Sequence, residues 1–179
     1  MQRVSNVLFL CTGNSARSIL AEAILQDWPR RRFLAFSAGS QPKGEVHPYA
    51  IDMLVERGHR RRDWQSKSWD EFALPESPAM DFIITVCNNA AGETCPVWPG
   101  RPITAHWGIP DPATATGSES IKRRAFSNAY DQLLKRICAF TTLSIEAGGF
   151  GRLSTQVRDI GTTETVSYTH LTLPTSDLV

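Results

Sequence analysis

The sequence predicts an α/β fold: a four-stranded parallel sheet with helices on both faces, in a single domain. Two observations predict it. Four short apolar runs of strand character alternate with longer segments of helical period, the pattern that builds a parallel sheet covered on both sides. The 179 residues fit one domain with a sizeable core.

The elements follow in order. Val4 to Leu10 reads as a buried strand and Ser18 to Trp28 as an amphipathic helix. Phe33 to Ser37 is the second strand. Val46 to Gly58 is the second helix, with Pro48 suited to its first turn and Gly58 to its stop. A short helix starts near Ser68. Asp81 to Cys87, "DFIITVC", is an apolar strand, and Ile103 to Trp107 is the fourth. Helical pattern runs from Ser118 to about Leu143 and again from about Gly151 to Ile160. The domain is expected to span residues 1–161, followed by a tail over 162–179 that is non-native or disordered. "VSYTHLTLPT", from about Val166, looks like the in-frame translation of a sequencing adapter, which would replace the native C-terminus.

Charge narrows the function. Lys plus Arg number 19 and Asp plus Glu 18, a balance that argues against nucleic acid as a partner. No apolar window is long enough to span a bilayer, and the N-terminus lacks the features of a signal peptide. The chain therefore reads as cytoplasmic, where thiols stay reduced, so its four cysteines point to catalysis, redox work or packing. The clusters Arg30–Arg32 and Arg60–Arg62 read as solvated surface, with steering of a small anion or an acidic partner as the alternative. The histidines are not clustered as metal ligands would be, so no metal and no bound cofactor are expected.

The stretch "LFLCTGNSARS" carries the chemistry. A strand that ends in a short glycine-bearing turn and enters a helix leaves successive backbone N–H groups facing one point, which suits an oxyanion. The same field favours the thiolate of Cys11. Arg17 adds a planar fork that can grip two oxygens of a tetrahedral anion. The oxyanion-binding set is thus Thr12, Gly13, Asn14, Ser15, Ala16, Arg17 and Ser18. Gly13 allows close backbone approach, Asn14 can hold the turn through the backbone, and Ser18 can donate to the sulfur. The expected chemistry is attack by Cys11 on the bound oxyanion. Asp111, in "GIPDPA", sits on a proline-bracketed mount. On its residues alone it reads equally as a turn former and as the proton donor that such a displacement requires.

The octet "CTGNSARS" resembles the loop of the low-molecular-weight protein tyrosine phosphatase fold. "TVCNNAAGETCPVWPG" and "AHWGIPDP" resemble the arsenate reductases built on that fold. The resemblance covers Val4 to about Gly161 and implies a nucleophilic Cys11, an anion-binding Arg17 and a general acid at Asp111. Reduction needs further thiols. Cys87 and Cys11 both follow strands that end on one sheet edge, where ligands bind. Cys87 can attack Cys11, and Cys95, in the loop "NNAAGETCP", can take the oxidation outward as a Cys87–Cys95 disulfide. Reduced thioredoxin or a glutathione/glutaredoxin system is the expected donor, arsenate the substrate, and phosphate or sulfate the competing anions. The sequence departs from the family at Asn88, where Asp is expected, and in a Cys87–Cys95 spacing one residue longer than in thioredoxin-coupled relatives. Ala113 and Thr114 follow Asp111–Pro112 where phosphatases of this fold carry tyrosines. A phosphatase is the alternative enzyme, and a non-catalytic oxyanion binder or redox sensor the alternative of another class. Cys138 is expected in the core, and Trp98 and Trp107 are expected to serve packing.

Overall fold

The computed structural model describes residues 3–29, 31–61, 63–145 and 149–163. Four strands, β1 (Ser5–Cys11), β2 (Phe33–Gly39), β3 (Phe82–Thr85) and β4 (Ile103–His106), form one parallel sheet in the order β2-β1-β3-β4. The chain leaves β1 for β2 on one side and returns to β3 on the other. The order therefore reverses at β1, and the ligand crevice of such a sheet lies beyond the carboxyl ends of β1 and β3. In register, Cys11 pairs with Gly39 and Leu10 with Thr85. The Val86 N–H still bonds the Leu10 carbonyl at 2.9 Å, which carries Cys87 up beside Cys11.

Alternation along the strands sorts the two cores. Val7, Phe9, Phe82, Ile84 and Ile103 face the larger core under α1 (Arg17–Gln26), α2 (Pro48–Glu56), α4 (Glu119–Thr141) and α5 (Gly149–Thr162). Phe140 is fully buried there, with ring centroids 5.0 Å from Phe33, 5.1 Å from Phe82 and 5.8 Å from Trp107. Burial of one such ring contributes about 1.5–3 kcal/mol. Leu8, Leu10, Ala38 and Ile83 face the other way, under the short 3-10 helix Trp69–Phe72, with Trp98 packed against them. Helical segments thus cover both faces, long ones on one side and a single turn on the other.

Local signals explain most helix limits. His47 caps α2 by accepting from the Tyr49 N–H through Nδ1, Pro48 opens the helix, and Gly58 follows it at φ +85°. Ser68 caps the 3-10 turn and Ser118 caps α4 through the Ile121 N–H. α5 docks on β4 through Gly161, where any side chain would collide with the His106 carbonyl and the Trp107 ring.

Three expectations need correction. The segment after Cys87 is not a free loop: Asn88–Gly92 forms a helical turn, α3. Cys138 is exposed, because the buried stripe of α4 runs through Phe126, Ala129, Tyr130, Leu133, Ile137 and Phe140, and the residue after Ile137 is turned about 100° away. Arg61 is not solvated surface but faces inward to Glu22. Arg30, Arg62 and the expected tail from Val166 lie outside the described residues. No helix among the described residues is long and apolar enough to cross a membrane.

Candidate active site

The turn from Cys11 to Arg17 is held from outside through its carbonyls. Gln41 N–H bonds the Thr12 carbonyl (2.9 Å), Lys43 N–H that of Gly13 (3.0 Å) and His47 N–H that of Ser15 (2.8 Å). With these oxygens fixed outward, the N–H groups of the turn serve its inside. The Gly13 N–H favours the Cys11 thiolate and the Thr12 N–H donates to Cys87 Sγ at 3.3 Å. The neighbouring strand fits flush beneath: a side chain at Gly39 would strike the carbonyls of Cys11 and Thr12.

Asn14 is the one non-glycine residue at positive φ (+42°) among the described residues, and it is fully buried. The sequence suggested that it holds the turn by bonding to the backbone; its partners are one backbone N–H from a distant segment and two serine hydroxyls, one of them the nearby Ser18. Its amide donates to Ser18 Oγ (2.8 Å) and Ser37 Oγ (3.0 Å), and its oxygen accepts from the Lys67 N–H (2.9 Å). Ser37 Oγ in turn donates to Glu22 Oε2, and Arg61 Nη1 pairs with Glu22 Oε1 at 3.0 Å. Glu22 is 4% exposed, and the guanidinium and the hydroxyl satisfy one oxygen each. The chain Arg61–Glu22–Ser37–Asn14 fixes the strained residue of the loop. Ser18, bonded by Asn14, retains its own proton for another acceptor.

Cys11 and Cys87 are both buried and both free, and each thiol shifts the other. One proton shared by two sulfurs moves them in opposite directions. The bond from Cys11 lowers Cys87 to about 5, and the Ala90 N–H, the Thr12 hydroxyl and the Thr12 N–H assist against burial. Cys87 is also the N-cap of α3, with its sulfur 3.4 Å from the Ala90 nitrogen. Cys11 is raised, first by its bond to Cys87 and then by burial, while Arg17 and the Gly13 N–H pull it down. The pair therefore gives up its first proton easily and its second with difficulty. Within the pair the surroundings favour the charged form of Cys87, while Arg17 and the Gly13 N–H favour that of Cys11.

Arg17 reaches across the turn. Nη2 lies 3.2 Å from Asp111 Oδ2 and Nη1 donates to the Ile109 carbonyl at 3.1 Å. Asp111 caps the 3-10 turn Pro112–Thr114 by accepting from the Ala113 N–H. Asp111 thus holds a turn and also faces Arg17. Arg17, Cys87, Asn88 and Asp111 line a cleft of about 410 Å³. His106 steadies its rim, with Nδ1 accepting from Thr85 Oγ1 (2.7 Å) and Nε2 donating to Asn88 Oδ1 (3.0 Å). The uncharged Asn88 suits that donor.

Cys95 lies outside this group. It is exposed, and burial of its remaining surface together with Glu93 pushes its thiol up. Trp98, three residues on, packs edge-on against Trp69 with centroids 6.4 Å apart. Among the described residues no three His, Cys, Asp or Glu side chains converge as a metal site.

The comparisons agree with this geometry. The sequence model described as low molecular weight phosphotyrosine protein phosphatase matches residues 6–147. The chain belongs to that family. Within it, the chain is 34% identical over 134 residues to an arsenate reductase of Halalkalibacterium halodurans, spanning 75% of this chain and 93% of that one. Among solved structures, the arsenate reductase of Archaeoglobus fulgidus is 30% identical with a TM-score of 0.55, covering 74% of this chain and 98% of that one. A thioredoxin-dependent arsenate reductase of Corynebacterium glutamicum is 28% identical with a TM-score of 0.53, covering 76% of this chain and 63% of that one.

The fold of this phosphatase family brings Cys11, Arg17, Cys87 and Asp111 together and leaves Cys95 at the margin. Sequence reasoning missed Glu22, Ser37, Glu93 and the ties of His106. A lone acid inside the otherwise apolar run "SILAEAIL" was the available signal for Glu22.

Proposed function

We infer that this chain reduces arsenate to arsenite in the cytoplasm, as part of arsenic detoxification. The observation that carries the reading is the pair of buried free thiols, Cys11 and Cys87, with Cys87 Sγ on the N–H that follows Cys11, set beside the Arg17–Asp111 pair. A hydrolytic phosphatase needs one sulfur; two sulfurs sharing a proton suit a two-electron reduction.

Arsenate binds in the turn, with its oxygens on the N–H groups and on Arg17. The shared proton crosses to Cys87, and the charge moves to Cys11, where Arg17 and the Gly13 N–H receive it. Cys11 attacks arsenic, and an arsenate oxygen leaves as water after protonation by Asp111. Cys87 then passes its proton to an arsenic-bound oxygen and, as the thiolate, attacks Cys11 Sγ. The S–As bond breaks, its electron pair stays on arsenic, and arsenite departs from a Cys11–Cys87 disulfide. Cys95 displaces Cys11 to give Cys87–Cys95, which reduced thioredoxin or a glutathione/glutaredoxin system returns to thiols. Likeness to a thioredoxin-dependent enzyme supports a thiol donor. Phosphate and sulfate compete for the same donors.

Arsenate-dependent oxidation of reduced thioredoxin, or of glutathione with glutaredoxin, tests the reading with Cys87→Ser and Cys95→Ser. Both variants should lose multiple turnover. The family match also supports phosphatase action on phosphotyrosine or small esters; that reading requires both variants to keep full hydrolysis of a chromogenic phosphate while the parent consumes no reductant.

A further inference from the structure

Glu93 stands between Cys87 and Cys95 in the chain, and its carboxylate turns back towards Cys87. One of its oxygens, Oε1, accepts from Thr12 Oγ1 at 3.2 Å, and Thr12 Oγ1 is itself 3.6 Å from Cys87 Sγ. The carboxylate is therefore tethered within one hydroxyl of the sulfur that Cys95 has to attack. Cys95 follows Glu93 by two positions. On the other side, Trp98 is clamped on the buried Trp69. The exposed Cys95 lies between these two tethers in the chain, and a swing that brings it to Cys87 brings it to the Glu93 carboxylate as well.

That proton has to go somewhere. Cys95 reacts only as the thiolate, and its thiol is pushed up by burial and by Glu93. The amide donors described above serve Cys11 and Cys87, while Arg17 lies across the cleft with Asp111.

We propose that Glu93 is the general base for Cys95 in the second disulfide step. The proposal rests on the relay reading above. Starting from the Cys11–Cys87 disulfide, Glu93 takes the proton of the Cys95 thiol. The Cys95 sulfur attacks Cys87 Sγ, the Cys95–Cys87 bond forms and the Cys11–Cys87 bond breaks. Cys11 leaves as a thiolate, received by Arg17 and the Gly13 N–H. The exchange is redox-neutral; one proton moves to Glu93 and one negative charge to Cys11.

The test is a single turnover with arsenate, quenched with acid, alkylated and mapped by peptide mass to count each disulfide. A parallel arm uses one equivalent of hydrogen peroxide to make the first disulfide without arsenic. In the parent protein Cys87–Cys95 replaces Cys11–Cys87 quickly. Glu93→Gln should accumulate Cys11–Cys87 and convert it about 10²–10⁴-fold more slowly. Its conversion rate should climb with pH across the neutral range, because only the Cys95 thiol's own ionisation then supplies the nucleophile. Glu93→Asp should recover part of the rate, and added formate should speed Glu93→Ala. Equal conversion in Glu93→Gln and the parent overturns the proposal. So does a slowed Glu93→Gln whose pH profile is unchanged and whose Ala counterpart ignores formate, the signature of a tether alone. If the parent forms no Cys87–Cys95 in either arm, the relay reading falls and takes the base with it. If the parent relays and Glu93→Gln relays equally, only the base falls.

Discussion

Two cysteine-bearing turns stand side by side at one edge of the sheet, and they are built in opposite ways. The turn after β1 is tied at three carbonyls, anchored by a buried asparagine and followed by a ten-residue helix. The turn after β3 leads into a helix of five residues and then to an exposed Cys95. The first holds one shape, as a site for a tetrahedral anion requires. The second has few ties to break, as a thiol that changes partner requires. The contrast separates binding from electron transfer within a single crevice.

Replacing Cys11 by Ser should break the first turn's chemistry outright: no arsenate-dependent disulfide of any kind, read by thiol counting. Arg17→Lys loses the fork that pairs with Asp111 and should lower kcat/KM by about 1.5–3 kcal/mol of transition-state binding, with the folded state intact by circular dichroism. Glu22→Ala should cost about 1–3 kcal/mol in denaturant unfolding, because it leaves the buried Ser37 hydroxyl without its acceptor and removes one of the carboxylates on Arg61.

Acid sharpens the comparison. The folded pair holds Cys87 at about 5 against an ordinary thiol value of 9.0. Between those pH values the unfolded chain binds more protons at this group, so the contribution of Cys87 to stability rises with pH there and disappears as pH falls through about 5. Thiolate absorbance should report one charged sulfur at neutral pH in the parent and lose it in Cys87→Ser, whose unfolding free energy should also vary less with pH. The smallest effect belongs to the second turn. His106→Ala removes the bond to Asn88 and should cost about 0.5–1.5 kcal/mol in thermal or denaturant unfolding.

The same contrast decides what could be read from the sequence. The four strands and the long helices were legible because their apolar periods are continuous, and Cys11, Arg17 and Asp111 because each sits at a strand-to-helix or proline-bracketed turn. α3 was not legible: "NNAAG" is too short and too rich in asparagine and glycine to carry a helical period, and it folds because Cys87 caps it and His106 holds Asn88. Nor was most of the support under Asn14, two of whose three partners stand 23 and 53 residues away. His59 carried no sequence signal, yet it is buried between Asp27 and Tyr130, 32 and 71 residues distant. Long-range polar contacts leave no local pattern. The lowering of the Cys87 thiol was not legible for a related reason, since it depends on how two strand ends meet.

Gly161 makes the last described helix a keystone. Its bare backbone lies flush on the strand that ends in His106, the residue that steadies Asn88 beside the reactive sulfurs. Trimming the chain ahead of that glycine, or giving it even a methyl group, would pry up the far edge of the sheet. The damage would then surface as sluggish chemistry at a distance from the cut.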